Sequence, residues 1–120
     1  QVKAIIVSNT TEGNRENLQN TSKHQKGGLS GKPLETRSNQ LINTFYNLLK
    51  GKISIIGVGG VDSGKSAYAK FLAGANFIQL YTGMVYQGPN VVTKIKKELK
   101  ELLINEDVKN FQDIIGKKTN

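Results

Sequence analysis

Three short apolar runs set the rhythm of the chain. Val2 to Val7 and Ile53 to Val58 are rich in β-branched residues, and Phe77 to Leu80 is a shorter apolar run. Near-continuous runs of this kind predict strands buried on both faces, as in a parallel sheet. Between them the period changes. Leu41, Ile42, Phe45, Leu48 and Leu49 recur at helical spacing, after Ser38 as a candidate N-cap and before Gly51 as a stop, which predicts an amphipathic helix with one buried face. A shorter helix is expected from Ser63, with Ala67, Tyr68, Phe71 and Leu72 inward and Gly74 at its end. Gly83, Gly88 and Pro89 mark a turn after the third strand. Val91, Val92, Ile95, Leu99, Leu102 and Leu103 then form the stripe of a final long helix. Phe111, Ile114 and Ile115 suit one short terminal helix. The predicted order is β, long loop, α, β, α, β, α, a parallel α/β pattern without a close internal repeat.

The stretches without periodicity are equally informative. Ser8-Asn9-Thr10-Thr11 puts four small polar side chains directly after the first strand. They suit a turn, or, at the carboxyl end of a barrel strand, a set of groups directed into a site. Position alone leaves both readings open. Glu12 to Lys26 is polar and reads as a long surface loop, a length typical of lids and binding loops. Gly27 to Leu34 packs three glycines and a proline into one short stretch, which permits close approach of backbone to a ligand.

Composition narrows the setting. At 120 residues the chain is one small domain or a piece of a larger one. It begins at Gln1, just before a predicted strand, so the expectation is a chain cut from something longer. There is no cysteine, hence neither a disulfide nor a cysteine metal site. No apolar run approaches the roughly 20 residues that span a bilayer. His24 stands alone on the loop, without a second ligand at metal spacing, and reads as a solvated side chain. The net charge of +8 would suit nucleic acid or an anionic surface. Yet Lys94, Lys96, Lys97 and Lys100 share a predicted helix with Glu98 and Glu101, Lys117 and Lys118 sit on a tail, and aromatic residues are scattered. A solvated basic face with room for anionic ligands is expected, and no nucleic-acid site. Asn9-Thr10-Thr11 and Asn20-Thr21-Ser22 fit the glycosylation pattern, but nothing in the sequence suggests secretion.

The chemistry concentrates at Ile53 to Ser66. A β-branched run breaks at Gly59-Gly60, and a helix start follows at Asp62 or Ser63. Such a turn aims N–H groups outward beside a helix N-terminus, a place to hold a phosphate. Gly59 to Ser66 also fits G-x-x-x-x-G-K-[ST], in which Lys65 would reach terminal phosphates and Ser66 would bind magnesium. Against nucleotide hydrolysis, no later strand ends in an aspartate to hold that magnesium. The next strand leads instead into Tyr81-Thr82-Gly83, another backbone-rich exit. Two successive glycine-bearing exits suggest a phosphate gripped between neighbouring loops, as after strands seven and eight of (β/α)8 barrels.

From Ala4 to about Gly116 the chain resembles the C-terminal third of dihydroorotate dehydrogenases of the quinone-dependent class 2. Asn9-Thr10-Thr11, Gly27 to Leu34, Ile55 to Val61, Gln79-Leu80-Tyr81-Thr82 and Gly88-Pro89 carry the resemblance in order, and the unbroken Gly31-Lys32-Pro33-Leu34 favours class 2. The resemblance implies about the last three β/α units of a (β/α)8 TIM barrel, with residues 1–120 a partial FMN-binding domain lacking its N-terminal part. It implies FMN as cofactor, dihydroorotate oxidised to orotate for pyrimidine synthesis, and electrons passed to a membrane quinone. Ser8, Gly31, Gly60, Tyr81 and Thr82 would contact FMN, with Ser8 standing where threonine is common. Asn9 and Thr10 would bind dihydroorotate or orotate. The base, a serine, would lie on an earlier part of the barrel, as would a flavin-binding lysine and the helices that meet quinone and membrane. No catalytic residue and no metal ligand is therefore expected here, and the fragment alone would be inactive. The complete enzyme would be peripheral on the cytoplasmic or mitochondrial inner membrane. Lys65 and Ser66 would be incidental, since the family needs neither. An ATP or GTP hydrolase and a non-catalytic relic remain the alternatives.

Overall fold

A computed structural model describes residues 1–13 and 15–117; Lys118, placed on the tail above, lies outside them. Three strands, β1 (Ala4–Val7), β2 (Ser54–Val58) and β3 (Phe77–Gln79), form one parallel sheet in sequence order. Helix α1 (Glu35–Leu49) links β1 to β2, and α2 (Gly64–Ala73) links β2 to β3. Parallel neighbours require such crossovers, because a short turn cannot return the chain to the same end of the sheet. Helices α3 (Thr82–Gln87) and α4 (Val91–Asn105) follow.

The strands are shorter than their apolar runs: Val2, Lys3, Ile53 and Leu80 fall outside the ladders. The helix after the long loop starts earlier than expected. Glu35 opens α1, and Ser38 is not its cap but a buried residue of its first turns. The Lys32–Leu34 3-10 turn, with Pro33 inside it, already leads the chain into the helix. The turn expected around Gly83 is the six-residue α3, and the terminal helix at Phe111–Ile114 is a 3-10 turn. Helix α2 matches its reading: Ser63 caps it by accepting from Ser66 N, and Gly74 ends it in the left-handed region at φ 118°.

Alternation along the strands divides the sheet into two faces. Val7, Gly57 and Ile78 share one row across the three strands. On this face Val7, Ile55, Ile42, Ala73 and Ala75 form a core under α1. A second core lies between α2 and α4, where Val61, Phe71, Val91, Ile95 and Ile114 are buried and the Phe71 and Phe111 rings meet edge to face at 4.6 Å. The opposite row runs Ile6, Ile56, Phe77. There Ile6 is 58% and Phe77 61% exposed. This apolar face explains the unbroken β-branched runs in the sequence: the strands are coded for burial on both sides, and one side is uncovered in this chain.

Helices α2 and α4 meet so closely that a Cβ on Gly64 would sit 2.4 Å from Glu98 Cβ and 2.7 Å from Leu99 N. Gly64→Ala should therefore cost about 1–3 kcal/mol in chemical denaturation of the chain assembled with the earlier part of the barrel. Gly51→Ala, in open space but at a φ of 75°, should cost about 1–2 kcal/mol through backbone strain alone. A cost at Gly64 well below about 1 kcal/mol would show that α2 and α4 can slide apart.

Candidate functional site

All three strands end at the same edge of the sheet, and their exits line one cleft of about 790 Å³, a size usual for small-molecule and cofactor sites. The exit of β1 contributes Ser8, Asn9 and Thr10; Gly31 comes from the loop before α1; Gly60 follows β2; Tyr81 and Thr82 follow β3. Every site residue expected from the sequence thus reaches a single cavity.

The two glycine-opened exits lie side by side. A Cβ on Gly83 would meet Val61 O at 2.5 Å, so the β3 exit rests directly on the β2 exit. Gln87 Nε2 donates to Asp62 O at 2.9 Å and ties α3 to the same turn. Gly59 and Gly60 take φ of 115° and 77°, a conformation that L side chains resist. The turn also passes over the start of α1, since a Cβ on Gly60 would lie 2.6 Å from Glu35 Cβ. Gly31, at φ 82°, leaves room for Thr82, whose Cγ2 would be 2.8 Å from any Cβ there. Ser30 and Thr82 share a hydroxyl–hydroxyl bond of 2.9 Å. These contacts join the loop before α1 to the exit of β3.

At the β1 exit the Val7–Ser8 peptide is cis. Asn9 Oδ1 accepts from Thr10 N at 2.7 Å, so each residue of the dyad fixes the other. Behind them the long loop closes on itself. Thr11 and Leu29 exchange both backbone bonds, at 3.2 and 2.7 Å, and Gly28 lies against Thr10, where a Cβ would come 1.9 Å from Oγ1. Within the loop Thr21–His24 is a 3-10 turn with His24 exposed. The Arg15 guanidinium donates to the carbonyls of Lys23, Gln25 and Gly27.

Two charged groups missed in the sequence stand at the rim. Lys32 Nζ lies 2.7 Å from Glu35 and 3.1 Å from Asp62. Its bond to Glu35 is the largest influence raising its pKa. Burial opposes ionisation of Asp62, but hydrogen bonds from Lys32 and Ser66 hold its carboxyl below the usual carboxylate range. Gly-Lys-Pro signals only a turn in sequence, and the approach of Lys32 to Asp62 is made by the fold.

The P-loop match fails on geometry. Gly64 N donates to Glu98 Oε2 at 2.6 Å, so a carboxylate of α4 already occupies the start of α2. Ser66 Oγ is engaged with Ser63 and Asp62 in the cap, and Lys65 is exposed. Among the described residues no cluster suits a metal ion, and no helix is long and apolar enough to cross a membrane. Lys94, Lys96, Lys97 and Lys100 are exposed on α4, as expected of a solvated basic face.

The sequence model described as "Dihydroorotate dehydrogenase" matches residues 1–103. The chain belongs to the dihydroorotate dehydrogenase family. It is 44% identical over 112 residues to "Dihydroorotate dehydrogenase (quinone)" of Deinococcus radiodurans, covering 93% of this chain and 30% of that protein. Against the mitochondrial quinone enzyme of Mus musculus it is 44% identical over 115 residues, covering 96% and 29%. The crystal structure of ligand-free type DHODH from Eimeria tenella superposes with a TM-score of 0.91 at 40% identity, over 96% of this chain and 32% of that one. A second structure from the same organism, in complex with ferulenol, gives the same TM-score over 31% of its chain. The chain thus spans roughly a third of the length of the relatives it matches. Its three β/α units are a portion of the TIM barrel of this family.

Lys70 is the family member's most conspicuous buried group, at 0% exposed. Burial pushes its pKa down to about 8, with Glu35 partly opposing. Helical spacing offered the signal: Ala67, Lys70 and Phe71 fall on one face of α2. The sign of its effect on stability follows from linkage. The unfolded lysine keeps its proton to about pH 10.5, so between pH 8 and 10.5 the unfolded state binds more protons and stability rises with pH. In the chain assembled with the earlier part of the barrel, the melting temperature of the wild type minus that of Lys70→Met should increase across this window, read by circular dichroism. A flat difference would mean that Lys70 keeps its proton in the folded state as it does in the unfolded one.

Proposed function

We propose that this chain supplies the FMN phosphate cradle and half of the substrate site of a class 2, quinone-dependent dihydroorotate dehydrogenase, as the last three β/α units of its barrel. The carrying observation is the contact between the exits of β2 and β3, with Gly60 on one side and Tyr81-Thr82 on the other of one cleft. A cradle of backbone N–H groups and one hydroxyl suits a phosphate dianion and leaves no side chain in its way. Gly31 admits backbone close to the flavin, and Ser8 adds a hydroxyl beside it. Asn9 and Thr10, fixed on each other, orient dihydroorotate or orotate through its carboxylate and ring amides. Bound FMN would supply the hydride-accepting chemistry.

The base that removes the substrate proton, the flavin-binding lysine and the quinone-facing helices belong, on this reading, to the preceding part of the barrel. The uncovered row Ile6-Ile56-Phe77 and the unpaired outer edges of β1 and β3 among the described residues are the surfaces that part would cover. The 120-residue chain is accordingly expected to be unstable or to aggregate when made alone. In the complete enzyme the association with the membrane is peripheral, at the cytoplasmic or mitochondrial inner membrane.

Mixing this chain with the preceding β/α units should yield a yellow protein whose flavin fluorescence is quenched, while the chain alone should stay colourless. Gly31→Ala should abolish flavin uptake, because it strains a φ of 82° and strikes Thr82. Lys65→Ala should leave FMN affinity within about twofold. Magnesium-dependent nucleotide binding lost in Lys65→Ala would instead support the hydrolase, and an assembled barrel that takes up neither flavin nor nucleotide would support the relic.

A further inference from the structure

A charged side chain occupies the place under the cradle where a core residue would be expected. The Lys70 stem passes β2 at Gly57, where a Cβ would meet Lys70 Cδ at 3.2 Å and Ile42 Cδ1 at 2.9 Å. The ammonium then emerges among the first turns of α1. Nζ donates to Ser38 Oγ at 3.0 Å and to Asn39 Oδ1 at 2.9 Å. Ser38 Oγ donates onward to Val58 O at 2.6 Å, the last carbonyl of β2. The same side chain supports the next residue, since a Cβ on Gly59 would lie 3.3 Å from Ser38 Cβ. One chain of bonds therefore runs from the ammonium through a hydroxyl to the peptide that opens the glycine exit.

Both acceptors are neutral. Glu35, on the same helix, influences Lys70 through space but is hydrogen-bonded to Lys32. Burying a cation with only neutral partners is costly, and an apolar side chain of similar length would serve packing better. An anion held just above Gly59-Gly60 would offset that cost, because charges attract strongly where water is excluded.

We propose that Lys70 is the counter-charge of the phosphate cradle and a positioning residue for it, acting through Ser38 on the Val58-Gly59-Gly60 exit. The proposal rests on the FMN reading and deepens it. The cradle discriminates phosphate-bearing flavin from flavin without phosphate partly through a cation that never touches the ligand. Lys32 sets no such preference, since two carboxylates at the rim already hold it.

The test is a fluorescence titration of the barrel assembled from this chain and its preceding units, with FMN and riboflavin as probes. Lys70→Met should weaken FMN by about tenfold or more while leaving riboflavin within about twofold, and Ser38→Ala should shift FMN affinity in the same direction. If both flavins weaken together, or FMN does not weaken, Lys70 is a packing residue and the proposal fails. A wild-type barrel that binds neither flavin removes the FMN reading, and this proposal with it. Should the variants not fold, the wild-type protein decides. With lysines labelled with carbon-13 at Cε, the Lys70 titration midpoint should rise on adding FMN and stay in place with riboflavin. An equal response to both probes overturns the proposal.

Discussion

The missing side chains of Gly57, Gly59 and Gly60 govern the shape of this structure. Each absence admits a different neighbour to the central strand or its exit: Lys70 and Ile42 at Gly57, Ser38 and Leu34 at Gly59, Glu35 at Gly60. Helices α1 and α2 are thereby drawn against β2 at its carboxyl end. The turn that follows must take a left-handed course, and that course exposes its backbone to the cleft. A methyl group at Gly60 would strike the Glu35 backbone, whereas at Gly59 Ser38 would need to give by only a few tenths of an ångström.

Much of this was legible in the sequence because local signals and tertiary demands agree. Ser63 and Gly74 bound α2 as capping chemistry dictates, and Val91 to Leu103 lie within α4, with Val91 and Ile95 buried. The cleft residues were legible for another reason. Glycines and small polar residues directly after strands serve few purposes other than turning and binding. Ser38 was misread because serine before an apolar stripe is an ordinary cap signal, whereas here the fold takes its hydroxyl for Val58. Helical spacing placed Lys70 on the inward face of α2, but its bonds to Ser38 and Asn39, like the meeting of Lys32 with Asp62, depend on contacts distant in sequence. No local pattern encodes them.

The P-loop pattern shows how context decides a motif. A strand, a glycine turn and a helix are all present, yet the helix start is taken by Glu98 and its serine is spent on capping. Oriented N–H groups will donate to any well-placed carboxylate. The neighbour in the fold supplied one. The mouse and Deinococcus relatives carry the quinone enzyme's name over several times this length.

The loop from Thr11 to Leu29 is pinned where it leaves and rejoins the body. A loop anchored at both ends of its base is mechanically insulated from what lies beneath it. Residues between the anchors can be added, removed or exchanged at small entropic cost without tilting Asn9 or Thr10. Evolution is thus free to rewrite the outer rim of the cleft while the floor keeps its geometry.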